Sequence, residues 1–494
     1  MEAFVLAFEA LLDVQNVLYL CIGVAAGIIL GAIPGLSASM AIAIVIPFTF
    51  TLPPVASLIM MMGAYKGGIY GGSIAAILLN APGTAAAVAT VQDGHALAKQ
   101  GKGLKALKVS LFSSAIGDTF SDIVLILSAA QLARVALEFG PIEFTVIAIV
   151  SLTLVVSLSG KSLTKGLIGA ALGILVAFIG LDPMSGLPRL TFGSSDFYGG
   201  VGLVPMLLGL LPMTEVLIRL EKKQETKGAF LPHPKVPSDA KVTKSDWKRI
   251  AKPITAGSIV GTIVGIIPGM GPTIGAVLGY DNAKKLSKDK KAFGKGSIEG
   301  VAGAESGNNA VSGANLIPLL GLGIPGDSEA VILIGAFLIH GLTPGPMIFR
   351  ENPEVVYGLY GGLVAANLLL VMFALLLLPQ FIKLSSIRTS RILPVVMILA
   401  TMGAYNYQQS FFDVAVAFAF CGIGYLMHKI DAPRSTVMIG FILAPILENN
   451  FRRAMLITDN DWSAFFSSSI GNFLWMLAIA SIVYSIAVLS RKRR

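Results

Sequence analysis

Gly27-Ile-Ile-Leu-Gly31-Ala-Ile-Pro34-Gly35-Leu-Ser37 recurs in the second half of the chain as Gly261-Thr-Ile-Val-Gly265-Ile-Ile-Pro268-Gly269-Met-Gly271. Proline removes a backbone donor and the glycine after it relaxes the geometry, so a helix that reaches either pair stops there. A second Pro-Gly follows in each half, within Asn80-Ala-Pro82-Gly83-Thr84 and within Gly323-Ile-Pro325-Gly326-Asp327. One such pair would read as an ordinary kink of a membrane helix. Four of them, paired by repeat, mark a designed interruption.

The sequence around the breaks is that of a membrane protein. Of 494 residues, 54% are hydrophobic and 13% charged, with a mean hydropathy of +0.78. Soluble domains carry about 25% charged residues, so half the usual solubilising charge is missing. Soluble enzymes, nucleic-acid binders and disordered scaffolds are excluded. The longest polar stretch, 219–252, leaves no room for a second water-soluble domain. The two cysteines, Cys21 and Cys421, each lie in an apolar run and imply neither a disulfide framework nor a zinc site. The first basic residue is Lys66, so the basic n-region of a cleavable signal peptide is missing and none is expected.

The clearest spans are predicted over 110–137, 141–158, 162–181, 201–218, 355–382, 392–405, 413–427, 437–447 and 465–489. Lys and Arg gather at 99–108, 161–165, 219–252, 284–295, 383–391 and 491–494. By the positive-inside rule the two strongest internal clusters and the carboxy terminus belong in the cytoplasm. Lys252 and Lys284 then flank a stretch that enters and leaves on one side, with Pro268-Gly269 in its middle. The arms 254–267 and 270–280 are too short to cross as straight helices. A re-entrant hairpin fits, its tip buried in protein or lining a polar cavity.

In the first half the basic loop follows the second Pro-Gly; in the second half it flanks the first. If basic loops stay cytoplasmic, the halves are inverted, the layout of many secondary transporters. The expected fold is an all-α polytopic membrane protein with two inverted-topology repeats, broken or re-entrant helices, and roughly 10–12 membrane segments plus hairpins. Its parts are a first repeat over 1–218, a basic cytoplasmic linker over 219–252, the core of the second repeat over 253–382, and C-terminal helices over 383–494.

A broken helix leaves amide hydrogens with a positive dipole end on one side and free carbonyls on the other, fit for an anion and a sodium ion. The candidate substrate residues are therefore Pro34, Gly35, Ser37, Asn80, Pro82, Gly83, Thr84, Pro268, Gly269, Gly271, Thr273, Asn308, Asn309, Pro325 and Gly326. Hydroxyls and amides both donate and accept, though small polar residues also serve helix packing. Gly67, Gly68, Gly71, Gly72 and Ser73 read as packing residues. Charged groups in apolar sequence are functional candidates, so Glu305, Asp327, Asp118 and Asp122, with Ser39, are the candidates for a coupling ion. Glu329, like Asp327, adjoins the fourth break, where it either takes part in ion or substrate binding or faces solvent. Lys66 could neutralise a substrate carboxylate, but the expected reading is that it snorkels to an interface. The four histidines show no metal-ligand spacing, and no phosphate-binding loop is present.

These motifs resemble those of the large membrane subunit of the tripartite tricarboxylate transporters, the TctA family, across nearly the whole chain. The resemblance is carried by Gly31-Ala-Ile-Pro-Gly35-Leu-Ser37 and by Tyr70-Gly-Gly-Ser-Ile-Ala-Ala-Ile-Leu-Leu-Asn-Ala-Pro-Gly-Thr84. Gly265-Ile-Ile-Pro-Gly-Met-Gly271 and Gly300-Val-Ala-Gly-Ala-Glu305-Ser-Gly-Asn-Asn-Ala310 follow. Last comes Leu322-Gly-Ile-Pro-Gly-Asp327, running on to Ile339-His-Gly-Leu-Thr-Pro-Gly-Pro346.

The resemblance implies the transport channel of an importer in a bacterial inner membrane, multi-pass and not an enzyme. It implies two partners, a small four-helix membrane subunit and a periplasmic solute-binding protein. The substrate would be a di- or tricarboxylate such as citrate, driven by sodium or protons, with no other cofactor. The Pro-Gly pairs carry over as the substrate and ion site. Two other readings stay open: a solute-gated carboxylate channel or sensor without ion coupling, and a membrane-embedded magnesium enzyme built on Asp118 and Asp122.

Overall fold

The computed structural model describes residues 2–158, 162–222, 239–384 and 392–493. The middle of the linker with His233, most of the 383–391 basic cluster, Lys161 and Arg494 lie outside the described residues. Among the described residues the regular structure is helical apart from one short antiparallel pair, Gly180–Leu181 with Pro188–Arg189.

Six helices among the described residues are long and apolar enough to cross a membrane: Val14–Ala32, Val88–Ala136, Pro141–Leu158, Leu203–Glu221, Pro353–Leu378 and Phe411–Lys429. That is fewer than the ten to twelve segments expected. Four further apolar helices, Ala38–Thr49, Leu163–Ala177, Ser328–Ile339 and Ser469–Ala480, are too short to count, and the centre of the molecule supplies another part of the difference. Pro54–Leu79, absent from the predicted spans, is buried without interruption from Ala56 to Leu78. It faces protein on every side, so it tolerates glycines and Lys66 that lower its hydropathy. Ile298–Ala314 is buried along its whole length in the same way and carries Glu305, Asn308 and Asn309.

Each central helix takes a broken helix against it through glycines spaced four apart. A methyl on Gly23, Gly27 or Gly31 would meet the carbonyl oxygen of Met60, Ala64 or Gly68 at 2.0, 2.4 and 2.4 Å. On the other side, one on Gly257, Gly261 or Gly265 would meet the carbonyl oxygen of Gly303, Gly307 or Val311 at 2.7, 2.3 and 2.9 Å. Without side chains on these faces the backbones touch, which is how membrane helices gain dispersion and weak polar contacts.

All four Pro-Gly pairs end helices. Val14–Ala32 stops before Pro34, and Ala38–Thr49 begins on the other side with Ser37 as its cap. Pro54–Leu79 ends on Asn80, which takes a left-handed φ of 56°. Leu316–Leu322 ends on Gly323 at φ 75°, and Ser328–Ile339 begins at Asp327.

At the third break the predicted arm is corrected. It is the helix Lys244–Ile266, 23 residues long and well beyond the short arm expected, because Thr243 and Asp246 form a capping box that starts it inside the basic stretch. The second arm is Gly271–Leu286. Helix also reaches Lys222 from the other end, so helical turns occupy both ends of the 219–252 segment.

Outside the spans, Asp182 ties the Gly180–Arg189 turn to the Arg434–Ile457 helix. Its carboxylate accepts from the backbone N–H groups of Ser185 (2.7 Å) and Met184 (2.9 Å) and from Arg452 (2.8 Å). The Ser185 N–H foremost, with Arg452 and Met184, holds this carboxyl well below the usual carboxylate range.

Candidate functional site

A cavity of about 410 Å³ lies where sequence following all four breaks meets. The first break gives it Ser37 and Ser39, the second Thr84, the third Gly269, Gly271 and Thr273, and the fourth Asp327 and Glu329. Asn308 reaches it from the central Ile298–Ala314 helix. The local cause is the same at three of the breaks: a hydroxyl or carboxylate just after Pro-Gly caps the next turn. Ser37 Oγ accepts from the Met40 N–H at 3.2 Å, Thr84 Oγ1 from Ala87 at 3.2 Å, and Asp327 Oδ1 from Ala330 at 2.8 Å. Helix starts therefore border the cavity and supply positive partial charge to its wall.

The wall also holds two carboxylates. Asp327 Oδ2 accepts from Asn315 at 2.7 Å, with the Tyr65 hydroxyl at 3.5 Å, and Glu329 accepts from Ser39 at 2.6 Å. Asn308 is 1% exposed, and neither its amide oxygen nor its amide nitrogen has a partner within the protein. A buried amide left unpaired costs free energy, and its side chain borders the cavity.

One turn away from Asn308, Glu305 sits outside the cavity, fully buried. It accepts from Ser73 at 2.7 Å, from Ser114 at 3.1 Å and from Thr90. Among the described residues no lysine, arginine or histidine forms an ion pair with it. Ser73 thus serves this carboxylate as well as the packing face assigned to it. Asn309 turns away from the cavity, donating to Ser114 and to the Glu305 carbonyl.

Lys66 overturns its expected place at an interface. It is fully buried, 3.0 Å from Asp118 and 2.7 Å from Asp122, and donates to Asn367 at 3.1 Å. Asn367 also donates to Asp122 at 2.8 Å, and Ser312 donates to Asp118. The spacing of the aspartates does put both on one helix face. What they hold there is an ammonium, the partner that a buried carboxylate pair needs.

The remaining candidates separate. Asn80 is exposed at its helix end and touches neither this cavity nor its neighbour. Pro82, Gly83 and Gly35 line an adjoining cavity of about 340 Å³, and the Pro34 carbonyl accepts from Arg219 at 3.2 Å. Pro268 lies just outside the cavity lining, and Pro325 and Gly326 are buried in the turn behind it. Tyr65, Thr90, Ser114, Asn315 and Asn367 are not among the residues that the sequence singles out. Asn315 and Asn367, as amides within apolar runs, carry the signal that could have found them. No cluster of three or more His, Cys, Asp or Glu side chains suited to a metal ion occurs among the described residues.

Six long apolar helices, with a cavity whose wall carries hydroxyls, an amide and two carboxylates, define a multi-pass membrane protein. Residues 17–439 match the family described as the tripartite tricarboxylate transporter TctA family, and the chain belongs to it. It is therefore the membrane component of such a transporter, a transport protein and not an enzyme. The chain is 33% identical over 489 residues to an Agrobacterium vitis protein described as "Uncharacterized 52.8 kDa protein in TAR-I ttuC' 3'region", covering 99% of this chain and 97% of the relative. It is also 34% identical over 215 residues to an "Uncharacterized protein in TAR-II ttuC' 3'region" of the same organism, covering 44% of this chain and 89% of that one. No solved structure matches.

Proposed function

We propose that this chain is the translocating subunit of a binding-protein-dependent importer that takes up di- or tricarboxylates across a bacterial inner membrane by sodium- or proton-coupled symport. The observation that carries this reading is the Asn308 amide, buried, unpartnered and bordering a cavity assembled at four helix breaks. The cavity's volume falls within the roughly 300–1,000 Å³ of small-ligand sites. In this reading the substrate's carboxylates accept from Asn308, Ser37, Thr84, Thr273 and the N–H groups of helix starts. The coupling cation is held by Glu305, whose carboxylate gathers three hydroxyls without an ion-pair partner, or by Asp327 and Glu329. The Asp118–Asp122 pair is not its site, because Lys66 occupies it.

The two halves, 1–218 and the part from 253 onward, are read as inverted repeats. Geometry at the breaks supports this beyond the shared motifs. A methyl on Gly83 would approach the Gly31 carbonyl at 2.7 Å, and one on Gly326 the Gly265 carbonyl at 3.3 Å. Thr84 and Asp327 cap the turns that follow, and Asn80 and Gly323 both take left-handed backbone. The basic 219–252 linker and the carboxy terminus are assigned to the cytoplasm on the positive-inside rule. A small four-helix membrane subunit and a periplasmic solute-binding protein complete the system.

The test is uptake of labelled citrate and other small carboxylates into vesicles carrying the three components, with a sodium gradient, a proton gradient, or neither. Accumulation that follows one gradient and requires the binding protein is expected and names the ion. Flux that only equilibrates under every gradient overturns the symport reading in favour of a channel.

A further inference from the structure

We infer that Arg219 and Arg434 form a second carboxylate-binding station, set between the main cavity and the side of the membrane that carries the basic linker. The inference rests on the carboxylate reading above and adds a site to it. The neighbouring cavity of about 340 Å³ is lined by both arginines, and it shares Ser37, Thr84 and Ala85 with the main cavity. An anion leaving the first cavity past that shared wall arrives at the arginines.

The two side chains are brought together by interruptions in separate helices. Arg219 lies near the end of the Leu203–Glu221 span, where the chain enters the basic linker. Its guanidinium donates to the Pro34 carbonyl at 3.2 Å and fills the space that a side chain on Gly35 would need. It thus covers the first helix break directly. Arg434 begins the Arg434–Ile457 helix and donates to the Leu210 carbonyl at 3.0 Å. Leu210 belongs to the π-helical turn Gly209–Met213, which contains Pro212. Such turns open the hydrogen-bond ladder and recur at functional sites.

Charge decides what the cavity prefers. The two arginines face one carboxylate, Glu215, at 3.0 Å from Arg219 and 3.8 Å from Arg434. One positive charge is left over, and the Arg219 Nε is enclosed with no hydrogen-bond partner. Guanidinium groups bind carboxylates through paired, charge-assisted hydrogen bonds. Glu215 therefore stands where a substrate carboxylate would bind and competes with it. That competition keeps the station weak enough to release its ligand, as a site on the exit path requires.

The experiment uses the complete three-component system in right-side-out and inside-out vesicles. The probe is whichever of citrate, succinate and malate the unsubstituted protein exchanges fastest. Half-saturation for exchange is measured from each face. Arg434→Gln and Arg219→Gln are expected to raise it about tenfold or more on the basic-linker face, the loss of one charge-assisted pair. On the opposite face it stays within about twofold, within the scatter of surface substitutions. Arg434→Lys recovers part of the loss, and Glu215→Gln lowers the half-saturation on the basic-linker face.

Equal shifts on both faces, or unchanged half-saturation on the basic-linker face, overturn the station. If either arginine variant fails to insert, Glu215→Gln decides the matter, and no change there also overturns it. Failure of the unsubstituted protein to exchange any of the three probes refutes the carboxylate reading itself and is read separately.

Discussion

The backbone N–H of Gly269 donates to the carbonyl of Gly326 at 2.7 Å, so the third and fourth helix breaks are tied to each other by main chain alone. Gly269 holds a φ of 88°, and a methyl on it would lie 2.7 Å from the Val155 Cα. The bond forms only because the third break can turn through left-handed backbone right against the Pro141–Leu158 helix.

Gly269→Ala therefore combines a left-handed penalty of about 1–2 kcal/mol with a backbone collision that no rotamer relieves. Transport should be lost and the melting temperature of the purified protein should fall. Gly422→Ala is the matched control, since nothing lies within 4 Å of its would-be side chain. A Gly269→Ala protein that melts and transports like the Gly422→Ala protein would contradict the structure at this point.

Lys66→Met leaves Asp118 and Asp122 buried without their cation. Breaking a buried ion pair from one side costs about 3–5 kcal/mol, so little protein should reach the membrane folded. Adding Asp118→Asn and Asp122→Asn removes the orphaned charge and should restore insertion in good part. The check is the amount of folded protein recovered from each variant. Single and triple variants recovered alike would mean the three groups are not energetically linked.

Asn308→Ala has the opposite signature. The amide makes no hydrogen bond within the protein, so its removal should leave the melting temperature close to that of the parent. If it binds substrate, apparent affinity for uptake falls about tenfold, the loss of about 1.4 kcal/mol. Unchanged uptake kinetics in a correctly inserted protein would remove Asn308 from the site.

Asp182 gives a pH dependence outside the membrane spans. Its carboxyl is held below the usual range, foremost by the Ser185 N–H and then by Arg452 and the Met184 N–H. A depressed folded-state value contributes stability above the ordinary aspartate pKa of about 3.9, lost as pH falls through the lower folded value. Asp182→Asn should therefore melt below the parent at pH 7, with the gap narrowing below about pH 4. A gap that widens on acidification would have the wrong sign for this linkage.

The breaks are legible because proline and glycine act through the backbone, and a backbone constraint is local. The spans at 141–158, 413–427 and 355–382 are legible because lipid-facing helices must be apolar on their outer faces. Pro54–Leu79 escapes for the converse reason: a helix enclosed by protein keeps no lipid-facing stripe, and its glycines read as dilution. Lys66 misleads because its partners, Asp118 and Asp122, are remote in sequence and sit on another helix. Snorkelling is the sensible reading of a lysine only until something buried neutralises it. Asn308 and Asn309 look equivalent in the sequence, yet they point to different places, since neighbours on a helix diverge by about 100°. In the sequence Arg219 opens the 219–252 basic segment, and Arg434 stands unremarked before the predicted span 437–447. Only the fold brings Arg219 over Gly35 and Arg434 beside Glu215.

The Lys66 cluster also sets terms for any motion. It rivets Pro54–Leu79 to Val88–Ala136 through two aspartates, and both to Pro353–Leu378 through Asn367. Sliding one of these helices by a single turn, about 5.4 Å, would tear the ammonium from its carboxylates in a fully buried site, at the cost of an unpaired buried charge. As long as the cluster is intact the three helices keep one common height in the bilayer, and whatever moves past them does so around a shared mast.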